Sequence, residues 1–100
     1  MIYPGSVYQH YKSKEYYRVL IADAKREADG EATVVYQNMH VDKPQVWVRS
    51  EKSFHTTVQD AEGNEVPRFR LLTVTEQQQV LIQATTELRA EAPKETIHYE

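Results

Sequence analysis

Short runs of β-branched and aromatic residues, broken by turn signals about every ten residues, constrain this chain more than anything else in it. Residues 7–12 and 16–22 are two such runs, parted by Ser13, Lys14 and Glu15, and read as a hairpin whose turn lacks glycine. Asp29-Gly30 is a turn signal, and residues 32–38 make the next strand-like run. Asp42, Lys43 and Pro44 turn the chain before residues 45–49. Residues 53–59 alternate poorly but have strand composition. Glu62-Gly63-Asn64 is a tight turn ahead of residues 66–72. Pro67 cannot donate to a ladder, so that strand starts late or lies at an edge.

Five or six short strands in 100 residues support one modest core. Closing the sheet is the economical way for so small a protein to hide strand edges. The expected fold is therefore mainly β: a small SH3-like or related β-barrel over residues 1–74. A C-terminal helix over residues 75–92 packs on or beside it, with a tail from 93 to 100. Thr75 and Gln78 have the spacing of a capping box. Leu81, Ala84 and Leu88 then recur at helical spacing with Val80 beside them, and Pro93 ends the helix.

The chain has no cysteine, which favours a reducing, cytoplasmic setting for so small a domain. Met1-Ile2-Tyr3-Pro4-Gly5 carries no basic-then-apolar run, so no signal peptide is expected. The longest uninterrupted apolar stretch, Val19 to Ala22, is far too short for a membrane span. Basic and acidic residues balance over 1–74. The net charge of −3 comes from residues 75–100, where Glu76, Glu87, Glu91, Glu95 and Glu100 outnumber Arg89 and Lys94. Strong steering toward duplex DNA is not expected from that balance.

Gly5, Tyr8 to Lys12, Tyr17 to Leu20, Val34 to Gln37, Trp47 to Arg49, Phe54, Gly63 and Val66 to Phe69 occur in an order that is familiar. Together they resemble the bacterial family catalogued as domain of unknown function 1653, over about residues 4–72. The resemblance implies one compact domain in a bacterial cytoplasm and supplies no reaction. The chain departs from the family pattern at Ser13, where glycine is usual, and at Ser50, where proline is usual. It departs again at Lys25 to Ala28, which replace an Arg-His-Ser-Glu-like stretch.

Motifs that carry chemistry are scarce. His10, His40 and His55 with a carboxylate such as Asp60 are the conceivable metal set, but no pair has helical i,i+4 or close-strand ligand spacing. No metal or cofactor is expected. There is no nucleophile elbow, and the three glycines, Gly5, Gly30 and Gly63, build no phosphate loop. The chain reads as non-catalytic.

Strand parity offers a binding face instead. Trp47 and Arg49 share one side of a strand, with Val46 and Val48 on the other. If the valines face the core, an indole and a guanidinium stand together outside. Tyr8, His10 and Lys12 likewise share a side, and Arg68 and Arg70 stand opposite Phe69 and Leu71. Planar and cationic groups of this kind suit a stacked base with its phosphate, so single-stranded RNA or a nucleotide-like ligand is the expected partner. The competing reading makes Trp47 a core anchor and Arg49 half of a structural salt bridge. The alternative function is protein interaction, with a peptide or partner protein on the aromatic face or on the stripe of Leu81, Ala84 and Leu88.

Overall fold

A computed structural model describes residues 2–39 and 44–83. Its strands are β1 (Val7–His10), β2 (Tyr16–Lys25), β3 (Ala32–Asn38), β4 (Val46–Ser50), β5 (Thr57–Gln59), β6 (Glu65–Pro67) and β7 (Phe69–Leu71). A one-turn helix, α1 (Glu51–Phe54), follows β4, and a second helix, α2, runs over residues 74–83. The larger sheet has five antiparallel strands in the order β4-β3-β2-β1-β7, and β5 and β6 pair only with each other.

The sheet is open, not the closed SH3-like barrel expected from strand spacing. Closure would need hydrogen bonds linking β4 to β7, and the intervening chain does not provide them. Residues 53–59, expected as one strand, are divided between α1 and β5. Ser50 starts the helix: its hydroxyl accepts from the Ser53 N–H at 3.2 Å, and Glu51 sits in the first turn, where the helix dipole favours an acid. Residues 66–72 are divided as well, with the ladder interrupted at Arg68 behind Pro67.

The β1–β2 turn lacks glycine, and Lys14 takes its left-handed position at φ 63°. That conformation costs roughly 1–2 kcal/mol for a residue with a Cβ. The turn is pinned by its neighbours. Nδ1 of His10 accepts from the Lys12 and Ser13 N–H groups at 3.2 and 3.4 Å. Lys14 N–H donates to the His10 carbonyl at 3.0 Å, and Gln9 Nε2 reaches the Lys14 carbonyl at 3.1 Å. Gly30 and Gly63 hold the left-handed positions at the other expected turns, at φ 72° and 83°.

The core is largely aromatic. Ile2, Tyr8, Val19, Val34, Tyr36, Phe54 and Phe69 form one buried cluster on the inner face of the large sheet. Phe54, delivered by α1, stacks on Phe69 at 4.3 Å with the rings 5° from parallel. Tyr8 and Tyr36 meet Phe54 edge-on at 5.0 and 5.4 Å. Edge contacts of this kind add about 0.5–1.5 kcal/mol each beyond area burial.

The cap of helix α2 lies two residues before the expected one. The capping box is Thr73 with Glu76: Thr73 Oγ1 accepts from the Glu76 N–H at 3.2 Å, and Glu76 Oε1 accepts from the Thr73 N–H at 3.0 Å. The carboxylate also receives both terminal nitrogens of Arg70, at 3.1 and 3.0 Å. An anchored carboxylate does what the neutral Gln78 amide does not. Ala84, Leu88 and the tail lie outside the described residues, as do the expected turn residues Asp42 and Lys43.

Candidate ligand-binding cleft

Register decides which side chains share a face. Val19, Tyr36 and Trp47 stand in one row across β2, β3 and β4. Tyr8 faces Tyr17, and His10 faces Phe69, on the same side of the sheet. Trp47 and Arg49 therefore share a side, as parity required, but it is the inner, core-bearing side. Val46 and Val48 point outward and are exposed, Val48 to 67%. The expectation that the valines turn to the core is reversed. The direct cause is the β3–β4 register, which sets Trp47 beside the inward Tyr36 and Val48 beside the outward Val35. In β2 a register shift between Val19 and Ile21 turns Ile21 out beside Val35 as well.

The indole remains accessible on the inner face, because the core centres on Phe54 and Phe69 and does not extend over the β4 edge. Trp47 is 49% exposed. With His10, Tyr17, Tyr36, Arg49 and Phe69 it lines a cleft of about 170 Å³. The floor is a set of rings in mutual edge contact, with Tyr17–Tyr36 at 5.5 Å, Tyr36–Phe69 at 5.4 Å and His10–Phe69 at 5.1 Å. Such a floor is rigid and apolar, and each ring limits its neighbours' rotation.

Polar groups are few and mostly cationic or hydroxyl. Arg49 lies with its guanidinium carbon 5.8 Å from the Phe69 ring centre. Its Nε donates to the Tyr36 hydroxyl at 3.3 Å and its Nη1 to Ser53 Oγ at 2.9 Å. No carboxylate pairs with Arg49 or Arg68 among the described residues. Arg68 Nε is buried with no hydrogen-bond partner among the described residues, an unmet donor that costs stability. None of the six lining residues is acidic. Glu15 stands nearby, accepting from the Tyr17 hydroxyl at 3.1 Å.

Burial lowers the His10 pKa from 6.5, and the charges of Arg49 and Arg68 lower it further against the opposite pull of Glu15. The imidazole is neutral at pH 7, with Nδ1 accepting from the turn and the proton on Nε2. Burial, then the bond to Glu15, raises the Tyr17 pKa, so its phenol stays a donor.

The seven expected site residues thus separate. His10, Trp47 and Arg49 line the cleft, and the Arg68 charge acts on His10. Tyr8 is buried at 5% and belongs to the core. Lys12 is in the β1–β2 turn. Arg70 faces the opposite side, held by Glu76 and by Gln9 Oε1 at 3.0 Å. The cleft also uses Tyr17, Tyr36 and Phe69, which the sequence reading did not include. Tyr17 and Tyr36 carried a usable signal, since both lie in clear strand runs, but placing them needs the register. Among the described residues no group of three His, Cys, Asp or Glu side chains could hold a metal ion. His40 lies outside the described residues, and His55 is exposed beside Glu51 and Lys52 in a separate depression. No helix among the described residues is long and apolar enough to cross a membrane.

Residues 6–71 match the model of a family described as a protein of unknown function, DUF1653. No curated protein and no solved structure matches the chain.

Proposed function

The chain belongs to the DUF1653 family, whose description carries no activity, and we therefore propose a function from the cleft itself. The domain is a non-catalytic binding module that stacks an unpaired base on Trp47 and holds its phosphate with Arg49, so that the ligand is single-stranded RNA or a nucleotide. One observation carries this reading. A half-exposed indole stands beside an arginine that hydroxyls hold in place and that pairs with no carboxylate among the described residues. Arg68, whose charge acts on the cleft residue His10, adds positive potential. Base–aromatic stacking contributes about 1–3 kcal/mol per base, and an arginine on a phosphate adds the counterion-release component of affinity.

Trp47 is the only tryptophan, so its fluorescence reports on the site without interference. Titration with short single-stranded RNA and with mononucleotides at low salt should quench it. The affinity should fall steeply as salt is added. Trp47→Ala and Arg49→Ala should each weaken binding about tenfold or more, whereas Arg70→Ala, on the far face, should leave it unchanged. Absence of RNA or nucleotide binding at low salt would overturn the proposal. Binding of a peptide that is indifferent to salt would transfer the cleft to protein recognition.

A further inference from the structure

The edge of the large sheet at β4 is unprotected among the described residues. Asn38 N–H donates to the Gln45 carbonyl at 3.1 Å, which makes 38–45 a hydrogen-bonded pair of the β3–β4 ladder. Alternation then bonds Tyr36 to Trp47 and Val34 to Arg49. The N–H and C=O groups of Val46, Val48 and Ser50 consequently point away from β3. Ser50 is the N-cap of α1, so its carbonyl accepts one bond from the helix and keeps one lone pair free. The other groups make one contact among the described residues, a long one from Gln45 Nε2 to the Val46 carbonyl at 3.4 Å. Edge strands are ordinarily blunted by lysine, proline, a bulge or extreme shortness. The five residues of β4 contain no lysine, proline or bulge, and their one charge, Arg49, lies on the inner face. Val46, Trp47 and Val48 are all exposed there.

We propose that β4 pairs with β4 of a second copy of this chain, antiparallel about a two-fold axis at Val48, making one continuous ten-stranded sheet. The occupant is argued from the sequence of the strand itself, which is complementary to its own reverse. Centring on Val48 places Val48 opposite Val48 and Val46 opposite Ser50, all of them positions whose backbone groups face outward, for about six new hydrogen bonds. Trp47 then stands opposite Arg49 of the other copy in a non-hydrogen-bonded pair, where Cα atoms are about 4.5 Å apart and side chains are closest. An indole facing a guanidinium is an attractive electrostatic match, made twice by symmetry. Centring on Trp47 instead would set Ser50 against Pro44, which has no N–H to give. Both Trp47 and Arg49 line the cleft, so pairing at Val48 brings the two clefts side by side on one face.

A strand this short buries less than the roughly 1,000 Å² of a stable interface, so the dimer is weak and exchanges rapidly. Sedimentation equilibrium on the full chain between about 20 µM and 1 mM should show a rising dimer fraction. Over the same range, amide exchange resolved by residue should slow at Val46, Val48 and Ser50. Val48→Lys should abolish the dimer, and Trp47→Ala should weaken it about tenfold. Ile21→Lys, which charges the outer face two strands away from the edge, should leave it intact. A monomer at 1 mM overturns the proposal. So does a dimer that survives Val48→Lys, leaves those amides unprotected, or is lost in Ile21→Lys, because association would then use the outer face and not the edge.

Discussion

The two faces of the five-stranded sheet solve different problems with residues drawn from the same strands. The inner face gathers rings: Tyr8, Tyr36, Phe54 and Phe69 are nearly water-free and touch one another at 4.3–5.4 Å. The outer face is split. Toward β4 it leaves Ile21, Val46 and Val48 exposed; toward β7 it is polar, with Arg70 joined to Gln9 and Glu76. Aliphatic β-branched residues favour the strand wherever they point, because their stiff side chains suit an extended backbone. Val7, Val19 and Val34 are fully buried while Ile21, Val46 and Val48 stay exposed. Apolar character in a strand thus marks the strand and leaves its core-facing side open.

The largest contrast between the faces should be energetic. Removing a ring from the inner face, by Phe54→Ala or Phe69→Ala, should destabilise the protein by about 3–5 kcal/mol. Val48→Ala on the outer face should stay within about 0.5 kcal/mol. Urea unfolding of the three variants compares them directly, and equal losses would break the distinction. Next in size is the polar end of the outer face. Thr73→Ala removes one half of the capping box and should cost about 1 kcal/mol, with the helical circular-dichroism signal falling more than the strand signal.

A smaller effect should come from pH on the inner face. The folded His10 pKa lies below 6.5, so between the two values the unfolded chain binds more protons than the folded one. Stability must rise with pH through that window and fall as the solution is acidified below about 6.5. Thermal melts at pH 5.5 and 7.5 should reveal this slope, and it should flatten in His10→Gln. The weakest expected effect belongs to the exposed outer-face ion pair. Arg70, then the Thr73 N–H, hold the Glu76 pKa down at about 2 against an ordinary 4.5. Its contribution is present above pH 4.5 and disappears as pH falls toward 2. Glu76→Gln should lower the melting temperature at pH 7 and match the parent at pH 2.

The amino-acid order made much of this fold legible. The run 32–38 coincides with β3, the hairpin of β1 and β2 stands where its composition placed it, and Gly30 and Gly63 mark their turns. The side-sharing of Trp47 and Arg49 also followed from period two alone. The helical turn at 51–54 was signalled by Ser50 and Glu51 but obscured by the strand-like composition after it. The true cap at Thr73 and Glu76 was one of two overlapping hydroxyl-first patterns, and Arg70 decided between them by adding a second set of bonds to the carboxylate.

Amino-acid order settles the local part: where extended segments begin, where the chain must turn, and which residues within a strand share a side. These depend on backbone sterics and side-chain shape within a few residues. Long-range packing settles which side faces inward, whether the sheet closes, and which rings meet. The β3–β4 register sets which side of β4 faces inward, a shift in β2 turns Ile21 outward, and the helical turn after β4 delivers Phe54. Those outcomes depend on contacts between residues far apart in the chain, where small local preferences are outweighed by the burial of a ring.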